Sequence, residues 1–247
     1  MKTSTLLLAG FLLATPALAQ SASPDYEPLK LIKKAPINYP FDAVRLGIKD
    51  GEAHVIVQID ENGQLGDCLV TQYSHPAFAE RAVAAIKKWA FEPAKVGGQP
   101  RSSISELSFI YKADGIVVVD LNVNSYVEIR AFELNPKGAS YRARTLRELD
   151  RIPAPTKIVK PHYPTALASK SDAVRIAVDF YIDEAGHVRL PAVSRETNQI
   201  SEALAGAAVD AVAQWEFEPP LSHGRPCLVQ ARQEFTFQPL QPAAAAK

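Results

Sequence analysis

Two stretches of the chain alternate apolar and more polar residues with a period of two. Ala53, Val55, Val57 and Ile59 form the first set, and Ile176, Val178, Phe180 and Ile182 the second. Such alternation predicts strands with one face buried. Each runs into Asp-Glu-x-Gly, at Asp60 to Gly63 and at Asp183 to Gly186, where glycine admits the positive φ of a tight turn. Return strands are expected over Gln64 to Thr71 and His187 to Val193. Pro191 has no N–H for a ladder, which places the second return strand at an edge or at a bulge.

A helical period follows each hairpin. Phe78, Ala82, Val83, Ile86 and Trp89 recur at helix spacing, and so do Leu204, Ala208, Val209, Val212 and Trp215. Both patterns predict an amphipathic helix laid on a sheet, with Pro76 suited to a first turn and Ser201 to an N-cap. Each helix is then stopped by Trp-x-Phe-Glu-Pro: Trp89, Phe91 and Pro93 in one copy, Trp215, Phe217 and Pro219 in the other. A Gly-x-Pro turn comes next, at Gly98 and Pro100 and at Gly224 and Pro226. Last strands are expected over Ile104 to Tyr111 and Leu228 to Phe237. Upstream, each copy opens on Tyr-Pro, Tyr39-Pro40 and Tyr163-Pro164, before a short helical stretch. The same ordered series occurs twice, so the chain is a tandem repeat.

Composition narrows the function. The 247 residues carry 27 Lys and Arg against 27 Asp and Glu, which lacks the basic excess of a non-specific nucleic-acid binder. The first residues read as a signal peptide over 1–19: Lys2, an apolar run from Leu6 to Leu13, and Ala17-Leu18-Ala19 before Gln20. The expected mature protein is periplasmic, with an uncleaved inner-membrane anchor as the less favoured reading. Cys68 and Cys227 occupy unrelated positions in the two copies, and sequence leaves a bond between them open. No histidine pair has metal-ligand spacing, and no nucleophile elbow or phosphate loop is present. Asp60, Glu61, Asp183 and Glu184 read as turn formers rather than as catalytic acids. The expectation is a non-enzyme without cofactor or metal. Trp89, Trp215, Tyr39 and Tyr163 are expected as packing residues.

The ordered series resembles the C-terminal domain of the TonB energy-transducer family, over residues 31–112 and 156–238. That resemblance implies an α+β fold of two tandem modules, each a small antiparallel sheet of about three strands with helices packed on one face. Residues 113–155 form a connector, with strands expected over Gly115 to Leu121 and Tyr126 to Leu134 and helix over Arg142 to Arg151. The tail at 239–247 is expected to be disordered. Proteins of the family grip a short peptide of an outer-membrane receptor. Their contacts use a polar residue before Tyr-Pro and the edge of the last strand. Here those positions are Asn38 and His162, where the family has glutamine, with Leu107, Phe109 and Tyr111 in the first copy and Leu228, Val229, Phe235 and Phe237 in the second. The mechanism expected is strand addition to a free sheet edge, by an adaptor that binds envelope or outer-membrane proteins. An energy-transducer component for outer-membrane transport and a self-associating envelope scaffold are the alternatives.

Overall fold

The computed structural model describes residues 25–112, 117–122, 140–164, 173–194 and 202–238. The signal-peptide region, the proposed tail and the strand expected over Tyr126 to Leu134 lie outside these residues, as do Ser201 and the second post-Tyr-Pro stretch. In the first copy, Tyr39-Pro40 leads into α1 (Phe41–Arg45). Then come β1 (Asp50–Ile59), β2 (Leu65–Tyr73), α2 (Pro76–Ile86) and β3 (Ser103–Lys112). The connector contributes β4 (Val117–Asn122), β5 (Tyr141–Arg142) and β6 (Arg144–Thr145). The second copy supplies β7 (Val174–Ile182), β8 (Val188–Val193), α3 (Glu202–Val212) and β9 (Val229–Phe237). The protein is mostly β, built from small sheets with three α-helices among the described residues.

Each sheet is wider than the expected three strands, because the connector adds to its margins. The first has the order β5-β2-β1-β3-β4 and the second β6-β9-β7-β8. All these pairings are antiparallel except β6 with β9, which is parallel. The stretch expected to be helical over Arg142 to Arg151 is mostly extended, with a three-residue 3₁₀ turn at Leu146–Glu148. Its backbone is drawn to two strand edges instead: Ala143 N donates to Thr71 O over 2.7 Å, and Arg144 N to Leu228 O over 2.8 Å. One short strap thereby joins both modules.

The repeated motifs make matching contacts. In the turns, Asp60 Oδ1 accepts from Asn62 N and Gln64 N, and Asp183 Oδ1 from Ala185 N and His187 N. Gly63 and Gly186 sit at φ +79° and +93°. A Cβ on either would meet a backbone oxygen, that of Phe91 at 2.4 Å and that of Phe217 at 2.0 Å. Both α2 and α3 end three residues before the tryptophan, which is nonetheless buried. Trp89 Nε1 donates to Ala35 O over 3.1 Å and Trp215 Nε1 to Val159 O over 2.7 Å. Each indole thus ties its helix end to the segment ahead of Tyr-Pro. The chain before that segment pairs with the Trp-x-Phe strand in each copy, 30–33 with 90–92 and 155–157 with 216–217. At the second return strand, Leu190 has φ +51° and the pairing register shifts between Asp179 and Tyr181. That is the bulge Pro191 demands, on a strand with one described neighbour.

Three cores result. Val55, Val57 and Ile59 of β1 share the first with Leu107 and Phe109 of β3 and with Phe78, Ala82 and Ile86 of α2. Ile176, Val178 and Phe180 share the second with Leu204, Ala208 and Val212 of α3. The third departs from the one-face expectation. Ile56 and Leu69 of the first copy pack with Tyr181, Leu190 and Leu228 of the second. The sheet faces that alternation marks as polar therefore meet each other, and β1 and β7 are buried on both sides.

Candidate functional site

A sheet margin is open to an added strand only where its N–H and C=O groups lack partners. In the first module most of β3 is covered. It pairs with β1 along its whole length, and Glu106 to Tyr111 pair on the other side with β4. Leu107, Phe109 and Tyr111 are fully buried in the core, with the Tyr111 hydroxyl donating to Phe78 O over 2.9 Å. Expected from sequence as partner-binding residues, they point inward, and the first connector strand pairs with that stretch of the edge. The opposite margin, on β2, is capped in part by β5, where Tyr73 and Tyr141 stack at 4.9 Å.

The second module differs. β9 pairs with β7 from Val229 to Phe237. On its other side β6 covers Val229 and Gln230 alone among the described residues. Leu228 and Val229 are fully buried, the first in the inter-module cluster and the second in the module core, so neither presents a surface. Because Leu228 O faces β6, the alternation of a strand aims the backbone groups of Glu234 and Thr236 outward and those of Gln233 and Phe235 toward β7.

Beside this stretch lies a groove of about 370 Å³, lined by Ile158, Lys160, Tyr163, Trp215, Phe235 and Phe237. Trp215 and Phe235 meet edge to face at 5.8 Å, and Tyr163 and Phe237 are tilted against each other at 6.2 Å. Lys160 is the one charged side chain on the lining. Phe235 and Phe237, both expected from sequence, border the groove. His162 is exposed and lines a separate groove along α3 with Gly206, Asp210 and Gln214. Asn38 is exposed in the other module. The sequence reading missed Ile158 and Lys160, whose only signal is their place just ahead of Tyr-Pro.

Chemically the site offers backbone hydrogen bonds and apolar contact. Cys68 and Cys227 are free thiols, and burial pushes the Cys68 thiol up to about 11, so it stays protonated and unreactive near neutral pH. Among the described residues no three His, Cys, Asp or Glu side chains are grouped to hold a metal ion.

Comparison with known families agrees with the duplicated architecture. The family model described as Gram-negative bacterial TonB protein C-terminal matches twice, over residues 35–113 and 159–239. The chain belongs to this family and carries its domain in two tandem copies. It is a TonB-like envelope protein. Domains of this family are non-enzymatic and of periplasmic type, and no helix among the described residues is long and apolar enough to cross a membrane. No curated protein matches the chain.

Proposed function

We propose that the chain is an exported, non-enzymatic periplasmic adaptor that grips extended segments of envelope or outer-membrane proteins by adding them as a strand to β9. One observation carries this reading: from Ala231 to Phe237 β9 has no second strand beside it among the described residues and borders an aromatic groove, with Glu234 O accepting from the Gln233 side chain, whereas β3 of the first is paired on both sides from Glu106 to Tyr111. In this reading the modules divide the work. The second binds, and the first, with its margins covered in part by β4 and β5, holds the second through the inter-module core. Backbone bonds to Glu234 and Thr236 supply affinity, and alternate side chains of the guest enter the groove over Trp215 and Phe235.

The test is Thr236→Pro in the full chain. Proline removes an outward N–H and spares the ladder to β7, so capture of an outer-membrane peptide should fall while the melting temperature holds. Unchanged capture would move the site elsewhere. Mass spectrometry of the mature chain supplies the second check, because export with cleavage requires a mature chain that begins at Gln20.

A further inference from the structure

A groove of about 660 Å³ lies away from β9, where both modules and the strap meet. One wall is a stripe of α2 running from Pro76 through Ala79 and Val83 to Lys87. These positions recur on a single helix side over roughly 16 Å at 1.5 Å rise per residue. The floor is Leu69, Val70 and Tyr73 of β2. The far wall is Tyr141 of the strap with Glu184 of the second module's turn. No single module builds this site: it needs α2, the strap and the turn together.

Its chemistry is graded. Pro76, Ala79, Val83, Leu69 and Val70 make an apolar trough. At one end Tyr73 and Tyr141 stack with planes 7° apart, and the Tyr141 hydroxyl donates to Glu184 Oε1 over 2.6 Å. Glu80 also lines this wall. Burial first, then Glu184 and Glu80, raise the pKa of the Tyr73 hydroxyl, so both carboxylates act on the same aromatic end. Among the described residues neither carboxylate forms an ion pair. Two acids beside stacked rings suit a cation, and a trough of this length suits about five extended residues at roughly 3.3 Å each.

We infer that this groove is a second peptide site, which takes an aliphatic segment carrying an arginine or lysine, with the cation held beside Tyr73 by Glu80 and Glu184. Glu61, the first-copy counterpart of Glu184, has no place in it. The site is independent of strand addition at β9.

The probe is fluorescein-labelled acetyl-Arg-Leu-Val-Leu-Val-amide, titrated by fluorescence anisotropy against the full chain at low salt. The control is the same peptide with glutamate in place of arginine. The arginyl peptide should bind, and the glutamyl peptide should bind at least roughly tenfold more weakly. The E80Q/E184Q double variant keeps an acceptor for Tyr141. It should lower arginyl binding by roughly tenfold with an unchanged melting temperature. Amide shifts on titration should fall on Val83 and Ala84, and Thr236→Pro should leave binding intact. Equal binding of the two peptides, no binding below about 1 mM, or a native-like double variant would overturn the inference. Loss of binding in Thr236→Pro would overturn it too, by placing the peptide on β9.

Discussion

Arg189 of the second module forms a two-point ion pair with Asp67 of the first: its Nε donates to Asp67 Oδ2 over 3.0 Å, and its Nη2 to Oδ1. A second carboxylate, Asp183, stands 3.6 Å from Nη1. The pair sits at the rim of the Ile56–Tyr181–Leu228 cluster, so polar and apolar contacts fix the same docking of one sheet face on the other. Together they make the two modules one body and leave β9 as the margin that differs.

The apolar part of that docking should outweigh the ion pair. Ile56→Asp buries a carboxylate among Leu69, Tyr181, Leu190 and Leu228 and is expected to cost several kcal/mol, on the order of 3 or more. Asp67→Asn breaks a partly buried pair at the rim and should cost about 1 kcal/mol. Thermal melts of the two variants check the order.

Asp179 shows how the copies have diverged. It is 3 % exposed and is held by Arg232 directly across the ladder, with Nε to Oδ1 at 2.6 Å. The matching cross-strand pair in the first module is Ile56 and Glu106. Arg232→Ala strands the buried carboxylate and should destabilise by roughly 2–4 kcal/mol, discounted for the part-exposed arginine. Replacing both partners, Asp179→Leu with Arg232→Met, should recover most of that loss. Denaturant titration measures both.

Among the glycines at positive φ, Gly63 and Gly186 are expected to be the least replaceable. Alanine at either would need a strained φ and would clash with the Phe91 or Phe217 carbonyl, for a loss of about 3 kcal/mol or more. Gly98 shares the positive φ but has open space around it, and Gly98→Ala should cost only about 1 kcal/mol. A melt of the three single variants separates clash from strain.

The strap should loosen in acid. Glu148 is held down to about 2, chiefly by the hydrogen bond from Arg142, with Thr145 adding two more. A carboxylate whose folded pKa lies below its ordinary value of 4.5 stabilises fully above that value. Its contribution fades as pH falls from about 4.5 toward 2. Protection factors at Ala143 and Arg144 should therefore fall between pH 5 and pH 3, before those of the core amides of Val55 or Val178 respond. Glu148→Gln should show the lower protection already at pH 7.

The repeat, its hairpins, the helix stripes and the paired glycine turns were legible because each rests on local periodicity or turn chemistry. The inter-module face was not. Ile56 lies between His54 and Gln58, and Tyr181 follows Asp179 by two residues, so each looks like a lone apolar residue on a wet face. What buries them is a sheet more than a hundred residues away in sequence. The strap was missed for a related reason: two-residue strands have no period, and Arg142 to Arg151 offers charges that suit a helix equally well. Of the candidate site, Phe235 and Phe237 were readable as edge-strand residues. The closure of β3 was not, since it depends on which margin β4 chooses.

The division between a closed first module and an open second one is tested most directly by residue-resolved amide exchange on the full chain. In β9, the amides of Glu234 and Thr236 should exchange fast while those of Gln233 and Phe235 stay protected. In β3, Leu107, Ser108, Phe109 and Ile110 should all be protected alike. Uniform protection across 233–236, or fast exchange at alternate residues of β3, would contradict the account.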